Sequence, residues 1–461
     1  MIMAVLLLSS CNDWINEAPK TDYMGEKELF SSEDAFRNYL NGIYTQLRSP
    51  ELYGNNLTLG PVEFMGRTLE APETSYSVVG AEIYEGMYEA VYSCNKILSL
   101  LDAADDVVFV SGSREMMTGE AMALRAYLHF DLVRLFSPAT TLDQSTEGIA
   151  WMESYDGEPV QMTTRQLVEK VISELNLAIP ILKTSDPLVT GISLNTSSLF
   201  GTNYTDRFWK MNYYGAIAIK ARAHMLLGQY SEASQCAKAV IQAKSISDII
   251  NGVAEESITT QFKFISTVSG TDRAFSQEHI FAYASAQEKE VQLSFPALSN
   301  YLFYDQGINV ADRIAETLST LPADDKRLTW FNSAKTNMAP KFGGLSAGSE
   351  ANVVYSWNVP QRMPGVKLGE MYLLDAEAQL RAGSSAPAKA ILDEYMDKRV
   401  SSIDWGANPT SDEILEQIVA QAEIELIGEG QLFYLYKRMN ASHIGSVAMT
   451  PEKYTLPIPK Y

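Results

Sequence analysis

The segment Gly119–Phe136 (GEAMALRAYLHFDLVRLF) constrains the fold more than any other part of the chain. Ala121, Leu124, Leu128, Leu132 and Leu135 recur at spacings of three and four, which places them on one face of a helix. Ala123, Ala126 and Tyr127 widen that face and let a second helix approach closely. Glu120, Arg125, Asp131 and Arg134 are expected at its polar edges, and Pro138 cannot continue the helix. A helix this apolar needs partners on more than one side, so the chain is expected to build a helical core around it.

The rest of the sequence supplies those partners. Ser31–Arg48 opens with Ser31 or Ser32 as a cap and Glu33 and Asp34 in the first turn, and carries Phe36, Tyr39, Leu40, Ile43, Tyr44 and Leu47 on one face. Glu82–Leu101 and a segment from Thr163 or Thr164 to about Leu182 are also expected to be helical. Tyr213–Ala243 reads like a tetratricopeptide helix pair, with its turn at Leu227-Gly228 and small residues Ala233 and Ala237 on the second helix. Met371–Val400 repeats the theme around Ala382-Gly383-Ser384-Ser385, too far away in sequence for a tandem solenoid. Pro50–Ser77 and Ser137–Gln161 read as long loops. Residues 249–364 read as a loop-rich insert with short strands at Glu278–Tyr283 and Val353–Val359. The expected fold class is mainly α, built of tetratricopeptide-like pairs with this insert.

Composition narrows the function. The 461 residues are 46% hydrophobic and 20% charged, with a net charge of −21 that repels phosphate backbones and argues against nucleic acid as a partner. Of the three cysteines, Cys94 and Cys236 fall in helical patterns and read as small buried hydrophobes. Cys11 differs: the apolar run Met1–Ser10 ends in Leu8-Ser9-Ser10 just before it, which resembles the lipobox of a bacterial lipoprotein. The expectation is a signal peptide at 1–10, lipidation of Cys11, a tether at 11–30 and a single domain over 31–461. No Lys or Arg precedes the apolar run, so a start further upstream or a truncated chain is also expected.

Several motifs carry a family resemblance. Gly119–Phe136 contains E-A-x-A-L-R-A-Y-x-H-F-x-L-V-R-L-F, and Glu82–Leu101 carries Tyr84, Tyr88, Val91 and Asn95 in a pattern that usually starts with Trp. Asp325-Lys326-Arg327 gives D-x-R, and VKLGEMYLLDAEAQL at 366–380 follows with Lys367 where Arg is usual. Glu425-Leu426, Glu429-Gly430-Gln431, Phe433 and Lys437-Arg438 come next, with Leu432 and Leu435 replacing the usual Arg and Asp, and YTLPIP closes the chain. In order and spacing these resemble the SusD/RagB family of outer-membrane nutrient-uptake lipoproteins of Bacteroidetes, in a divergent branch. The resemblance implies a lipid-anchored surface protein that captures an oligosaccharide or a peptide and acts as a lid for a SusC-like TonB-dependent β-barrel transporter.

Catalysis finds no positive support. Gly344-Leu345-Ser346-Ala347-Gly348 matches a nucleophile elbow, but no βαβ pattern surrounds it, and a Gly/Ser loop is the simpler reading. His129, His224, His279 and His443 include no H-E-x-x-H site, no calcium loop or P-loop occurs, and Gly428-Glu429-Gly430 lacks a dinucleotide context. No cofactor or metal is expected, and the protein is not expected to be an enzyme. Binding fares better, because aromatic rings in irregular segments can stack on the apolar face of a sugar. Phe64, Trp151, Tyr155 and Tyr301 belong to such segments. Glu63, Arg67, Tyr76, Tyr304, Trp330 and Trp357 are the expected ligand contacts, the family's site being in such loops. The competing classes are a tetratricopeptide-like scaffold that binds only proteins and a surface hydrolase using Ser346.

Overall fold

The computed structural model describes residues 25–58, 60–67, 73–139, 145–192, 206–265, 275–284, 310–330 and 362–460. At its centre is the helix Ser113–Phe136, which is buried at every position from Gly119 onward except Met122. It packs against the helices Glu73–Ala103, Thr164–Ser185 and Tyr213–Leu226. The four charged residues expected at its polar edges are buried too, which corrects that expectation. Glu120 pairs with Arg207 and accepts from the Tyr44 hydroxyl at 2.9 Å. Arg125 pairs with Glu174 and donates to Asn95 Oδ1 at 2.6 Å. Asp131 pairs with Arg134 and accepts from Tyr53 at 2.7 Å, and Arg134 donates to Gln431 at 3.0 Å. With helices on every side, each charge meets a counter-charge or a hydroxyl instead of water, as buried charge requires.

From the centre, helices stack outward in sequence. Thr163 and Gln166 form a capping box at the start of Thr164–Ser185. The side chain of Asn212 accepts from the Gly215 N–H at 2.9 Å and starts Tyr213–Leu226. Gly228, at φ +72°, makes the turn into Tyr230–Ile241 in a left-handed conformation that suits glycine. Ala233 and Ala237 are fully buried on the second helix, which packs against Leu368–Arg381, and the Ser234 hydroxyl donates to Asp375 at 2.6 Å. The two tetratricopeptide-like pairs are therefore neighbours in space although the insert separates them in sequence. The second pair continues through Ser385–Lys398 and is braced by Ser411–Glu425.

Strands β1 (Glu147–Trp151) and β2 (Val160–Thr163) form an antiparallel hairpin within what reads as a loop at 137–161. The 50–77 segment likewise contains the helix Pro61–Arg67, and Glu73–Ala103 begins well before Glu82. Both were hidden for the same reason: short apolar runs broken by Gly and Pro show no clear period, and tertiary contacts define them. Strand β3 (His279–Ala284) pairs antiparallel with β4 (Arg362–Lys367), which runs straight into the helix at Leu368. The Asn212 amide donates to the Ile280 carbonyl at 2.8 Å and ties this sheet to the scaffold. The strand expected at 353–359 lies outside the described residues. Cys94 and Cys236 are free thiols, the first buried and the second half-buried.

His129 fastens the hairpin to the central helix. Its ring stacks on Trp151 at 3.9 Å between centroids. Nδ1 is 3.0 Å from the Arg125 carbonyl, and Nε2 is 3.1 Å from the Met152 N–H. A carbonyl only accepts and an N–H only donates, so the proton sits on Nδ1 and the ring is neutral. Burial pushes the pKa down to about 3, and the charges of Arg125 and Lys170 add to it. Between the usual value of 6.5 and about 3 the unfolded chain binds a proton that the native ring refuses. The stability this group supplies above pH 6.5 is therefore lost as pH falls toward 3, at up to about 1.4 kcal/mol per pH unit. Urea denaturation across that range should show His129→Gln less stable at neutral pH but with an acid slope shallower by one proton.

Candidate functional site

Two of the six expected ligand residues, Glu63 and Arg67, contact the segment Glu423–Gln431, and a third, Trp330, lies over cations that bind it. Glu63 and Arg67 come from the helix Pro61–Arg67 and form an ion pair at 3.0 Å. The second Glu63 oxygen accepts from the Gly430 N–H at 3.0 Å, and Arg67 donates to the Glu423 carbonyl at 2.7 Å. Close approach is built in: a Cβ on Gly430, at φ +65°, would lie 2.1 Å from the Leu57 carbonyl oxygen.

Beside this clamp is a fully buried ion network. Lys367, the last residue of β4, is 2.8 Å from Glu425 and 2.6 Å from Glu429. Arg399 grips Glu278 with two hydrogen bonds of 2.6 and 2.7 Å and reaches Glu425 through Nε at 2.9 Å. The Tyr395 hydroxyl donates to Glu425 at 2.6 Å. Burial alone would lower the pKa of Lys367, but Glu425 and Glu429 hold it above its usual value, so the ammonium stays charged. Trp330 covers the network at 0% exposure, with the Arg399 guanidinium 4.8 Å and the Phe275 ring 4.8 Å from its centroid. Asp325 and Arg327 of the D-x-R motif pair at 2.7 Å, and Arg327 donates to Gln421 at 2.6 Å.

Glu63, Arg67 and Trp330 thus stand in the interior, the first two against Glu423 and Gly430 and the third over the buried network at the neck of the insert. Tyr76 falls near the start of Glu73–Ala103, its side chain outside the described residues, and Tyr304, Trp357 and Ser346 lie outside them altogether. Glu278 and Arg399 had no distinguishing pattern in sequence, whereas Lys367, Glu425 and Glu429 belong to the quoted motifs. On the surface, Tyr92 is 47% exposed and meets Tyr155 edge-on at 6.1 Å, with Lys96 Nζ 4.3 Å from the Tyr155 ring centroid. Trp151, the other aromatic of that loop, is fully buried. Among the described residues no cluster of His, Cys, Asp and Glu could hold a metal ion, and no helix is long and apolar enough to cross a membrane.

A helical scaffold of stacked pairs with a strand-necked insert defines a class that comparison with known proteins identifies. Residues 13–190 match the SusD-like family model described as starch-binding, associating with the outer membrane. The fold is similar to a SusD superfamily protein from Bacteroides vulgatus at 18% identity, covering 93% of this chain and 96% of that one, with a TM-score of 0.68. A SusD superfamily protein from Bacteroides fragilis matches at 19% identity over 94% and 97% of the two chains, with a TM-score of 0.66. Surface glycan-binding protein A from Bacteroides thetaiotaomicron, in complex with laminarihexaose, matches at 15% identity over 93% and 96%, with a TM-score of 0.61. No curated protein matches the chain. Over residues 13–190 the chain is similar to the SusD-like family, and its fold as a whole is similar to that of SusD superfamily proteins.

Removing one member of the buried network strands the others. Lys367→Met leaves Glu425 and Glu429 without their shared cation, and is expected to cost about 3–5 kcal/mol. Chemical denaturation of the purified variant measures this. A loss below about 1 kcal/mol would show that the network does not carry the fold.

Proposed function

We propose that this protein is a surface-exposed, lipid-anchored binding protein of the outer membrane that captures an oligosaccharide and acts as a lid for a SusC-like TonB-dependent transporter. The observation that carries this reading is the match of residues 13–190 to a family described as starch-binding and associated with the outer membrane. The relative seen with laminarihexaose and another named as a laminarin-binding SusD-like protein, of similar fold, point to a glucan as the first ligand to try. Cys11 would carry the lipid and residues 12–30 the tether.

In this reading the scaffold does no bond making. It supplies a rigid base, and the insert supplies the contacts. Tyr304 and Trp357 would stack on sugar rings, with Tyr76 as a third aromatic contact. Glu63, Arg67 and Trp330 would act from beneath, holding the base of the insert in place. Holding captured ligand at the transporter mouth raises its local concentration there without new contacts.

The test is a glycan and peptide array on the full chain, followed by calorimetry on any hit. Tyr304→Ala and Trp357→Ala are expected to weaken binding of laminarin-type oligosaccharides by about tenfold each at unchanged melting temperature, the loss of one stacked ring. Trp330→Ala is expected to lower the melting temperature instead, by creating a large cavity. Peptide binding with silence on glycans would move the ligand to the peptide class. Silence on both would favour a scaffold that binds only proteins.

A further inference from the structure

We infer that a cleft between the two helix pairs and the C-terminal helices is a binding site for a small aliphatic carboxylate. The cleft is built from scaffold helices and uses none of the residues of the insert. Its walls are apolar and include Phe130, Val133, Met225, Leu373, Ile418 and Leu426.

The cleft is also lined by hydrogen-bond donors that the described residues leave unused or only partly used. Arg222 is 5% exposed and spends Nε on Glu370 at 2.6 Å and Nη2 on the Gly365 carbonyl at 2.9 Å, while Nη1 has no partner among the described residues. Tyr434 is 6% exposed, its ring centroid 3.7 Å from the Arg134 guanidinium and its hydroxyl without a partner among the described residues. Lys437, from the same helix Leu432–Met439, makes one hydrogen bond among the described residues, to the Ser137 carbonyl at 2.7 Å, and no ion pair with any of them.

The nearby carboxylates are already engaged. Glu370 is held by Arg222, Glu377 by Arg381 and Arg438, and Asp131 by Arg134 and Tyr53. In a chain of net charge −21, the cleft therefore keeps a surplus of cation and donor at its base. Buried donors without partners are costly, and a lone buried ammonium more so, and a carboxylate entering the cleft would offer these donors an acceptor. Burial, reinforced by Arg134, pushes Lys437 down to about 7, in keeping with a cation that has no counter-ion. Apolar walls above a polar base fit an aliphatic stem ending in a carboxylate, since a polyhydroxylated body would lose its hydrogen bonds to water against them.

The experiment is calorimetry and thermal shift on the full chain with sodium hexanoate as probe, and with hexanol and acetate as controls. Hexanoate is expected to bind saturably at one site and raise the melting temperature, with hexanol and acetate at least about tenfold weaker. Lys437→Met removes the lone cation, and Tyr434→Phe removes a single oxygen while keeping the ring beneath Arg134. Each is expected to weaken hexanoate by about tenfold or more and leave hexanol unchanged. Equal binding of hexanoate and hexanol by wild type, absence of hexanoate binding, or wild-type affinity in both folded variants would overturn the assignment. Loss of glycan binding in the insert variants above would not bear on it, because the two sites share no residue.

Discussion

The carboxylate of Glu425 is the point on which the rest of the structure leans. It takes Lys367 from the strand that closes the insert, Arg399 from the end of the second helix pair and Tyr395 one turn earlier. Through Arg399 it is joined to Glu278, next to the other strand of the neck. Gly369 stands so close that a Cβ there would meet Glu425 Oε1 at 2.3 Å, which is why no side chain intervenes between helix and carboxylate. One buried anion thus connects four segments that are remote in sequence. Such a network is a poor source of net stability but a strong source of specificity, because a misplaced segment leaves a bare charge behind.

The same logic governs the central helix. Its leucines and alanines supply the burial, but they would tolerate several neighbours at several registers. Glu120, Arg125, Asp131 and Arg134 each accept a different partner: the 206–209 turn, the Thr164–Ser185 helix, the Tyr53 turn and Gln431. The apolar residues make the helix a core, and the charged ones decide which elements surround it and at what height. His129 adds a neutral version of the same device, reading one carbonyl and one N–H.

Much of this scaffold was legible in the sequence, since period-3.6 patterns, caps and Gly turns are local and survive without tertiary context. The helix pairs at 213–243 and 371–400 were found because small residues and a Gly turn mark them. The polarity of the central helix was misread, because periodicity separates polar from apolar faces but does not say whether a polar edge meets water or a guanidinium. The 50–77 and 137–161 segments escaped because a seven-residue helix and a short hairpin have too few repeats to show a period. For the candidate site, six residues were expected as ligand contacts; of these Glu63, Arg67 and Trp330 are buried, while Tyr304 and Trp357 lie outside the described residues. What sequence did not convey was depth: a Trp next to a charged motif reads the same whether its ring is open or sealed over Arg399.

That depth bears on how a chain of this fold can vary in sequence. If the contacts for ligand were made by the network itself, each change of specificity would unbalance buried charge and endanger the fold. Here Trp330 lies over the network at 0% exposure, and the strands β3 and β4 bracket residues 285–361 while pairing with each other. The ends of that stretch are fixed by main-chain pairing and by Lys367, neither of which depends on which side chains the stretch carries. Outside the D-x-R motif and Trp330, sequence can then drift between the strands without disturbing the scaffold.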